Sequence, residues 1–333
     1  MSQPRQPFMS RLFSSRPPLA ALGIDGRGVT ALSVTGQAGS LAISGHAVQP
    51  LPAGAVTPAL NAVNVHDAGA LSAAIRTALD SCSPRPRRVA LVLPDRVGKV
   101  SLVRFDKIPG RSQDLEQLIR WQVRKTAPYR IEDAQVSWAP GLDLPGGGRE
   151  FIVTTARRDI IESYEAACAG AGAQAGLVDL ASMNLVNAAL AVQSASPPAG
   201  VPSAGAPSDW LIVHVTEDDG TIAVVRGSAL VFFRHRDSAG DDDLTELVHQ
   251  TAMYHEDRLG GGGFARVVLA GASSRGSVQA ERLRRHLEQY AGARVEALDF
   301  RQVVTLRDRI TLSPELVDSL GAPLGSLLRE QVA

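Results

Sequence analysis

One order of elements occurs twice along this chain, and that duplication limits its fold more than any single motif does. Residues 19–25 (LAALGID), 28–35 (GVTALSVT) and 40–49 (SLAISGHAVQ) are apolar or alternating runs broken by glycine-rich turns. They read as a three-stranded meander. A helix follows near 67–81, with Asp67 placed to cap it and Leu71, Ile75 and Leu79 on one face, and then a buried strand at 88–93 (RVALVL). The second half repeats this. Residues 210–216, 221–226 and 229–235 are strand candidates, 242–259 a helix with Leu244, Leu247, Val248 and Leu259 apolar, and 265–270 a strand. A helix at 277–291 and a strand at 293–299 close the series. Two copies of strand-strand-strand-helix-strand predict two homologous α/β lobes. A generic two-domain α/β protein is the alternative.

At 333 residues the chain can bury more than one core. Its 34 basic residues balance 34 acidic ones, so no global basic excess points to nucleic acid. Two cysteines, Cys82 and Cys168, lack metal-ligand spacing and suit a reducing compartment. No apolar run reaches the ~20 residues of a membrane helix. Residues 1–18 lack the apolar core of a signal peptide and read as a disordered tail. Residues 192–208, rich in Pro, Ser and Gly, read as a flexible linker between the lobes. Charge is uneven. Between Arg76 and Arg130 thirteen basic residues face five acidic ones, and all three lysines (Lys99, Lys107, Lys125) lie there. Such a window is either a solvated face or a surface for an anionic leaflet or acidic partner segment.

Between the lobes lies extra material. Residues 98–105, a helix at 112–126, strands near 133–139 and 150–156, and a helix at 158–171 read as a compact inserted unit spanning about 95–176. In the first helix Leu115, Leu118, Ile119 and Val123 recur at helical spacing, and Pro128 stops it. Its polar face carries Arg120, Arg124 and Lys125. An Ile-Arg-Trp helix ending in Pro-Tyr (119–129), an Ile-Glu-Asp step (131–133) and a strand resemble the inserted subdomain of the PilM family of type IV pilus assembly proteins. Residues 157–190 are also similar, passing through Leu177-Val178-Asp179-Leu180 into a helix from Ser182. The resemblance covers roughly residues 9–330.

That resemblance implies an actin-like fold, two ribonuclease-H-like lobes with an α+β subdomain inserted in the first. Lobe one would take 19–94 and 177–191, the insert 95–176, lobe two 209–315, and a C-terminal helix, 316–333, would pack back on lobe one. It also implies two glycine-rich phosphate hairpins and an adenosine turn. Here they are degraded. The first hairpin is Gly23–Thr30, with Asp25, Gly26 and Gly28 matching and Thr30 where the family has lysine. The second, His214–Gly220, supplies Thr216 and Gly220 but carries Glu217, Asp218 and Asp219. These acids are expected to point toward the phosphate positions, where like charges repel. The adenosine turn is Leu269–Ser273, with Gly271 kept and Ala272 in place of a second glycine. The expected function is therefore a non-catalytic scaffold with no cofactor, held peripherally at the cytoplasmic face of the inner membrane. Its partner would be the cytoplasmic tail of a PilN-like protein, lying in a groove between lobe one and the insert, with Arg104, Arg120 and Arg124 as candidate contacts. Homo-oligomerisation is left open. A GspL-like cytoplasmic domain is a close variant, disfavoured because that family continues into a membrane helix. The alternative is an active actin-like ATPase or kinase-like enzyme binding Mg-ATP, with Asp25 and Asp179 as its acids.

No other chemistry stands out. Gly98-Lys99 lacks the first glycine and the Ser/Thr of a P-loop. His249 and His255 are six residues apart on one helix, not the four of a zincin, and read as solvated or locally bonded. Asp241–Asp243 read as a helix cap, and Gly260–Gly263 as a helix stop.

Overall fold

The computed structural model describes residues 18–36, 40–195, 208–217, 219–237, 241–306 and 313–332. The expected tail 1–18 lies outside them up to residue 17, as do residues 196–207 of the expected linker and Asp218. In lobe one, β1 (Ala20–Ile24), β2 (Gly28–Thr35) and β3 (Leu41–Pro50) form the antiparallel meander, and β4 (Arg88–Leu93) lies parallel to β1. β4 reads as one apolar run because helices cover both of its faces. On one face sit α1 (Ala68–Asp80), capped by the Asp67 carboxylate on the Ala70 amide at 2.8 Å, and further along the chain α3 (Arg158–Gly170). Leu71 and Ile75 meet Leu22, Leu91, Ile160 and Tyr164 there.

The inserted unit opens with β5 (Gly98–Phe105) and α2 (Ser112–Arg124), and closes with β6 (Ala134–Asp143) and β7 (Arg149–Arg157) in a sheet ordered β5-β7-β6. Ile119 and Val123 of α2 bury against Val103, Phe151 and Val153 on one face of that sheet. α3 does not belong to this unit, although the sequence reading puts it there. Its apolar face, Ile160, Tyr164, Ala167 and Cys168, is matched to the lobe-one core, and Ser72 Oγ of α1 donates to the Ala167 carbonyl at 3.1 Å. The packed insert is therefore 98–157.

β8 (Gln174–Leu180) then pairs parallel with β4, and α4 (Ala181–Ala195) runs into four residues assigned to the linker, burying Val192. Lobe two repeats the plan. β9 (Asp209–Val215), β10 (Asp219–Arg226) and β11 (Ala229–Asp237) form the meander, then come α5 (Asp241–Leu259), β12 (Phe264–Ala270), α6 (Ser277–Ala291) and β13 (Val295–Ala297). The sheet orders are β11-β10-β9-β12-β13 here and β3-β2-β1-β4-β8 in lobe one, the same topology twice. Lobe two ends sooner than residue 315. A short strand the sequence reading lacks, β14 (Val304–Leu306), adds to the β3 edge of lobe one, and Phe300 buries with it beneath α7 (Pro314–Val332).

α4 and α7 form the layer between the lobes. α4 is buried around most of its circumference because Leu185, Ala189 and Leu190 meet Trp210, Ile212 and Val268 of lobe two while Ala191 meets lobe one. α7 buries Leu320, Leu324 and Leu328 against Leu32, Val34 and Ile43. Gly321 and Gly325 permit the α4–α7 contact. A Cβ on Gly325 would stand 1.8 Å from the Asn184 carbonyl oxygen.

Candidate functional site

A cleft of about 320 Å³ lies between the lobes, floored by the α4 N-terminus and by α7. Three turns face it: Asp25–Gly28 from lobe one, and Thr216–Asp219 and Gly271–Ser274 from lobe two. Backbone amides at such turns are what an anion would use. In this chain a carboxylate already accepts from a donor at each turn, from backbone amides at the first and third and from the Thr216 hydroxyl at the second. Asp25 Oδ1 accepts from the amides of Arg27 and Gly28, each at 2.8 Å. Asp219 Oδ1 accepts from Thr216 Oγ1 at 2.8 Å, and the Asp219 amide returns a bond to the same hydroxyl at 3.2 Å. At the third turn Asp318 of α7 accepts from the Gly271 amide at 2.8 Å and from the Ser273 amide and hydroxyl at 2.9 and 2.5 Å. Gly271 is required there, since φ is +81° and a Cβ would lie 2.0 Å from the Val215 carbonyl oxygen.

Beneath the cleft is a buried polar network that spans the lobes. Asp95, in the turn after β4, is 4% exposed. Its carboxylate accepts from the Ser182 amide at 3.0 Å, from the Ser182 hydroxyl, and from Thr221 Oγ1 at 2.9 Å, with His214 Nδ1 at 3.4 Å. Burial opposes ionisation of Asp95. The bond to and charge of His214, the charge of His235 and the Ser182 hydroxyl outweigh it and hold the carboxyl at about 2. Burial likewise lowers the His214 pKa, but its bond to Asp95 and the charges of Asp95, Asp219 and Asp318 raise it above the ordinary value. Serine, histidine and aspartate meet here without making a nucleophile. Ser182 Oγ and Asp95 share the same ring nitrogen, at 2.8 and 3.4 Å, so histidine cannot pass a proton from one to the other through its two nitrogens.

Of the residues singled out in the sequence, Asp25, Thr216 and Gly271 line the cleft. Gly26 and Gly28 shape the first turn without lining it, and a Cβ on Gly28 would stand 2.7 Å from the Gln49 carbonyl oxygen. Gly220 sits in the ladder opposite Val215 and Arg236, at the base of the turn and outside the cleft lining. Asp219 lines the cleft, while exposed Glu217 reaches across to Arg27 at 3.5 Å. Asp179 accepts from the Leu180 amide, and burial pushes its carboxyl up. Sequence reasoning missed Asp95, Ser182 and Asp318. Among the described residues, the cleft lining holds Asp25, Asp95, Asp219, Glu315 and Asp318 against Arg27 and His214. A triphosphate there would face unfavourable pairs of ~2–4 kcal/mol each at an effective dielectric of about 20, before screening. Among the described residues no three His, Cys, Asp or Glu side chains gather as metal ligands.

A second concavity lies where lobe one meets the insert. Asn61 of the β3–α1 loop donates to the Pro128 carbonyl at 3.3 Å, and Arg157 Nη1 donates to Asn61 Oδ1 at 3.1 Å. Tyr129 donates to Thr155 Oγ1 at 3.1 Å. Two adjoining hollows of about 450 and 470 Å³ open around Tyr129, one beside Arg124 and Arg130, the other beside Asp133, Arg157 and Glu162. Arg124 lines the first. Arg104 pairs with buried Glu150 at 2.7 Å and Arg120 with Glu116 at 3.0 Å, and neither lines these hollows.

The family model described as type IV pilus assembly protein PilM matches residues 22–258. Among solved structures, the PilM-PilN type IV pilus biogenesis complex contains a chain of the same fold, at 17% identity and a TM-score of 0.76. The match covers 96% of this chain and 100% of that one. The chain thus has the expected actin-like two-lobe fold. Two more distant matches are the cytoplasmic domain of EpsL, an inner membrane component of the type II secretion system of Vibrio cholerae, and a Bacteroides thetaiotaomicron protein of unknown function. The first has 10% identity, a TM-score of 0.47 and coverage of 93% and 94%; the second has 11%, 0.48 and the same coverage. No curated protein matches the chain.

Proposed function

Because the chain belongs to the PilM family of type IV pilus assembly proteins, we propose that it acts as a non-catalytic scaffold that binds the cytoplasmic tail of a PilN-like inner-membrane protein. The observation that carries the non-catalytic half is the occupation of all three turns by Asp25, Asp219 and Asp318. Donors already bonded to a tethered carboxylate give a phosphate nothing net, and the carboxylates repel it. The partner half draws on the solved complex of PilM with PilN and on the concavity around Tyr129. Arg130 and Arg157 with Asp133 and Glu162 suit an extended tail of mixed charge, and Tyr129 gives it an aromatic wall. The described residues include no helix long and apolar enough to cross a membrane, so in this reading the partner supplies the attachment.

Titration calorimetry of the full chain tests both halves. Mg-ATP is expected to show no binding tighter than about 100 µM, near −5.5 kcal/mol. A synthetic PilN-like tail is expected to bind. Tight Mg-ATP binding overturns the first half, and a tail that binds the Asn61→Ala, Arg157→Ala double variant as well as the native chain overturns the second.

A further inference from the structure

At two points of the interlobe cleft the lobes are joined in the same way, by a carboxylate carried on lobe one and donors carried on lobe two. Asp95 follows β4 of lobe one and reaches Thr221 Oγ1 on β10 at 2.9 Å and His214 on β9 at 3.4 Å. Asp318 rides on α7, which lobe one holds through Leu320, Leu324 and Leu328. It takes the amides of Gly271 and Ser273 and the Ser273 hydroxyl, all in the turn after β12. We propose that Asp95 and Asp318 form a clasp that sets the angle between the two lobes through the chain's own side chains.

The apolar layer of α4 against Trp210, Ile212 and Val268 keeps the lobes together, but apolar contact is non-directional and tolerates sliding. Charge-assisted hydrogen bonds are short and directional, so two of them at separate points of the cleft lining fix a single orientation. Both points are built for this. Asp95 and Thr221 are 4% and 1% exposed, so water does not compete for them, and Thr221 is oriented in turn by His235 Nδ1 at 2.9 Å. The Gly271 turn can present its amides only because glycine takes the left-handed conformation against Val215. The clasp goes beyond the scaffold reading, since it concerns the lobes and not the partner.

The experiment is a distance measurement on the full chain, by double electron–electron resonance between labels at Val63→Cys and Val278→Cys. These positions are 64% and 81% exposed, one on each lobe, and the native Cys82 and Cys168 are buried and do not compete for label. No nucleotide or partner is added at any step, so the result does not depend on whether the chain binds either. The native chain is expected to give one narrow distribution. Asp318→Ala is expected to broaden or lengthen it, Thr221→Val to do so less, and the double variant most. Amide exchange at Gly271 and Ser273 should quicken about tenfold or more in Asp318→Ala, the change one charge-assisted bond is worth. A broad native distribution overturns the clasp. So does an Asp318→Ala distribution equal to the native one, even with faster local exchange, because Asp318 would then be only a cap on the 272–275 turn.

Discussion

Substituting Asp95 by Asn tests the electrostatics of the interlobe network in a single residue. The carboxylate is buried, and its pKa is held at about 2 against an ordinary 3.8. A depressed folded-state pKa contributes stability that is present above the unfolded value of ~3.9 and lost as pH falls through the folded one. At ~1.4 kcal/mol per unit, the contribution at neutral pH is about 2–3 kcal/mol. Asn keeps the volume but presents an amide where the Ser182 or Thr221 hydroxyl also donates, so one buried donor is left unbonded as well. His214 adds the opposite limb. Its pKa is raised by Asp95, so its share of stability is complete below ~6.5 and lost as pH rises through its folded value. The stability gap between native and Asp95→Asn should therefore be widest between about pH 4 and 6.5, narrowing on both sides. Urea denaturation from pH 2.5 to 8.5, followed by tryptophan fluorescence from Trp210 beside the interlobe layer, reads that gap. A gap that is flat with pH, or a variant as stable as the native chain at pH 5, refutes the reasoning.

Gly325→Ala should cost at least ~2 kcal/mol in thermal or urea melting, because its Cβ meets the Asn184 carbonyl oxygen and α7 must lift from α4. Asp209→Ala should cost about 3–5 kcal/mol, since buried His255 and Arg226 both lose the carboxylate they share at 2.6 and 2.7 Å; denaturation midpoints equal to native would contradict this. The Asp209 carboxyl is itself held below its ordinary value, burial being outweighed by the bonds from Arg226 and His255, so this cluster should weaken only in acid. Arg124→Glu should reduce binding of a PilN-like tail in an anisotropy titration without shifting the melting temperature, whereas Arg104→Glu should shift the melting temperature by stranding buried Glu150. The reverse pattern would place the groove elsewhere.

Elements with a local signature were legible in the sequence. The two meanders, α1 with its Asp67 cap, and α2 with Ile119 and Val123 at helical spacing are specified by residues within a few positions of one another. The fold class followed, because repeating that local order twice leaves few ways to pair the strands. What was misplaced depends on distant contacts. The apolar spacing of α3 is ordinary, and only the lobe-one core tells that Tyr164 belongs there and not in the insert. β14 is three residues long and exists because β3 offers it an edge. His255 reads as a surface histidine until Asp209, forty-six positions away, and the stacked ring of Phe264 at 4.5 Å bury it.

The same distinction separates what a degraded motif shows from what replaces it. Thr30 and the acids after Thr216 announce that the phosphate hairpins are altered, but not that their donors are in use. For Asp25 and Asp219 the replacement is local, two or three residues from its donor, and a reader of the sequence can see the carboxylate in the turn. For Asp318 it comes from forty-seven positions downstream, on a helix whose spacing shows only an apolar face. A left-handed glycine turn with unassigned amides is itself a demand, because buried amides rarely go without partners. Where the expected ligand is disfavoured by neighbouring charge, the acceptor must come from the chain, and helices that pack across the turn are the elements able to bring it. Acidic residues on such a helix, out of step with its apolar face as Asp318 is with Leu320, Leu324 and Leu328, are then the ones to test first.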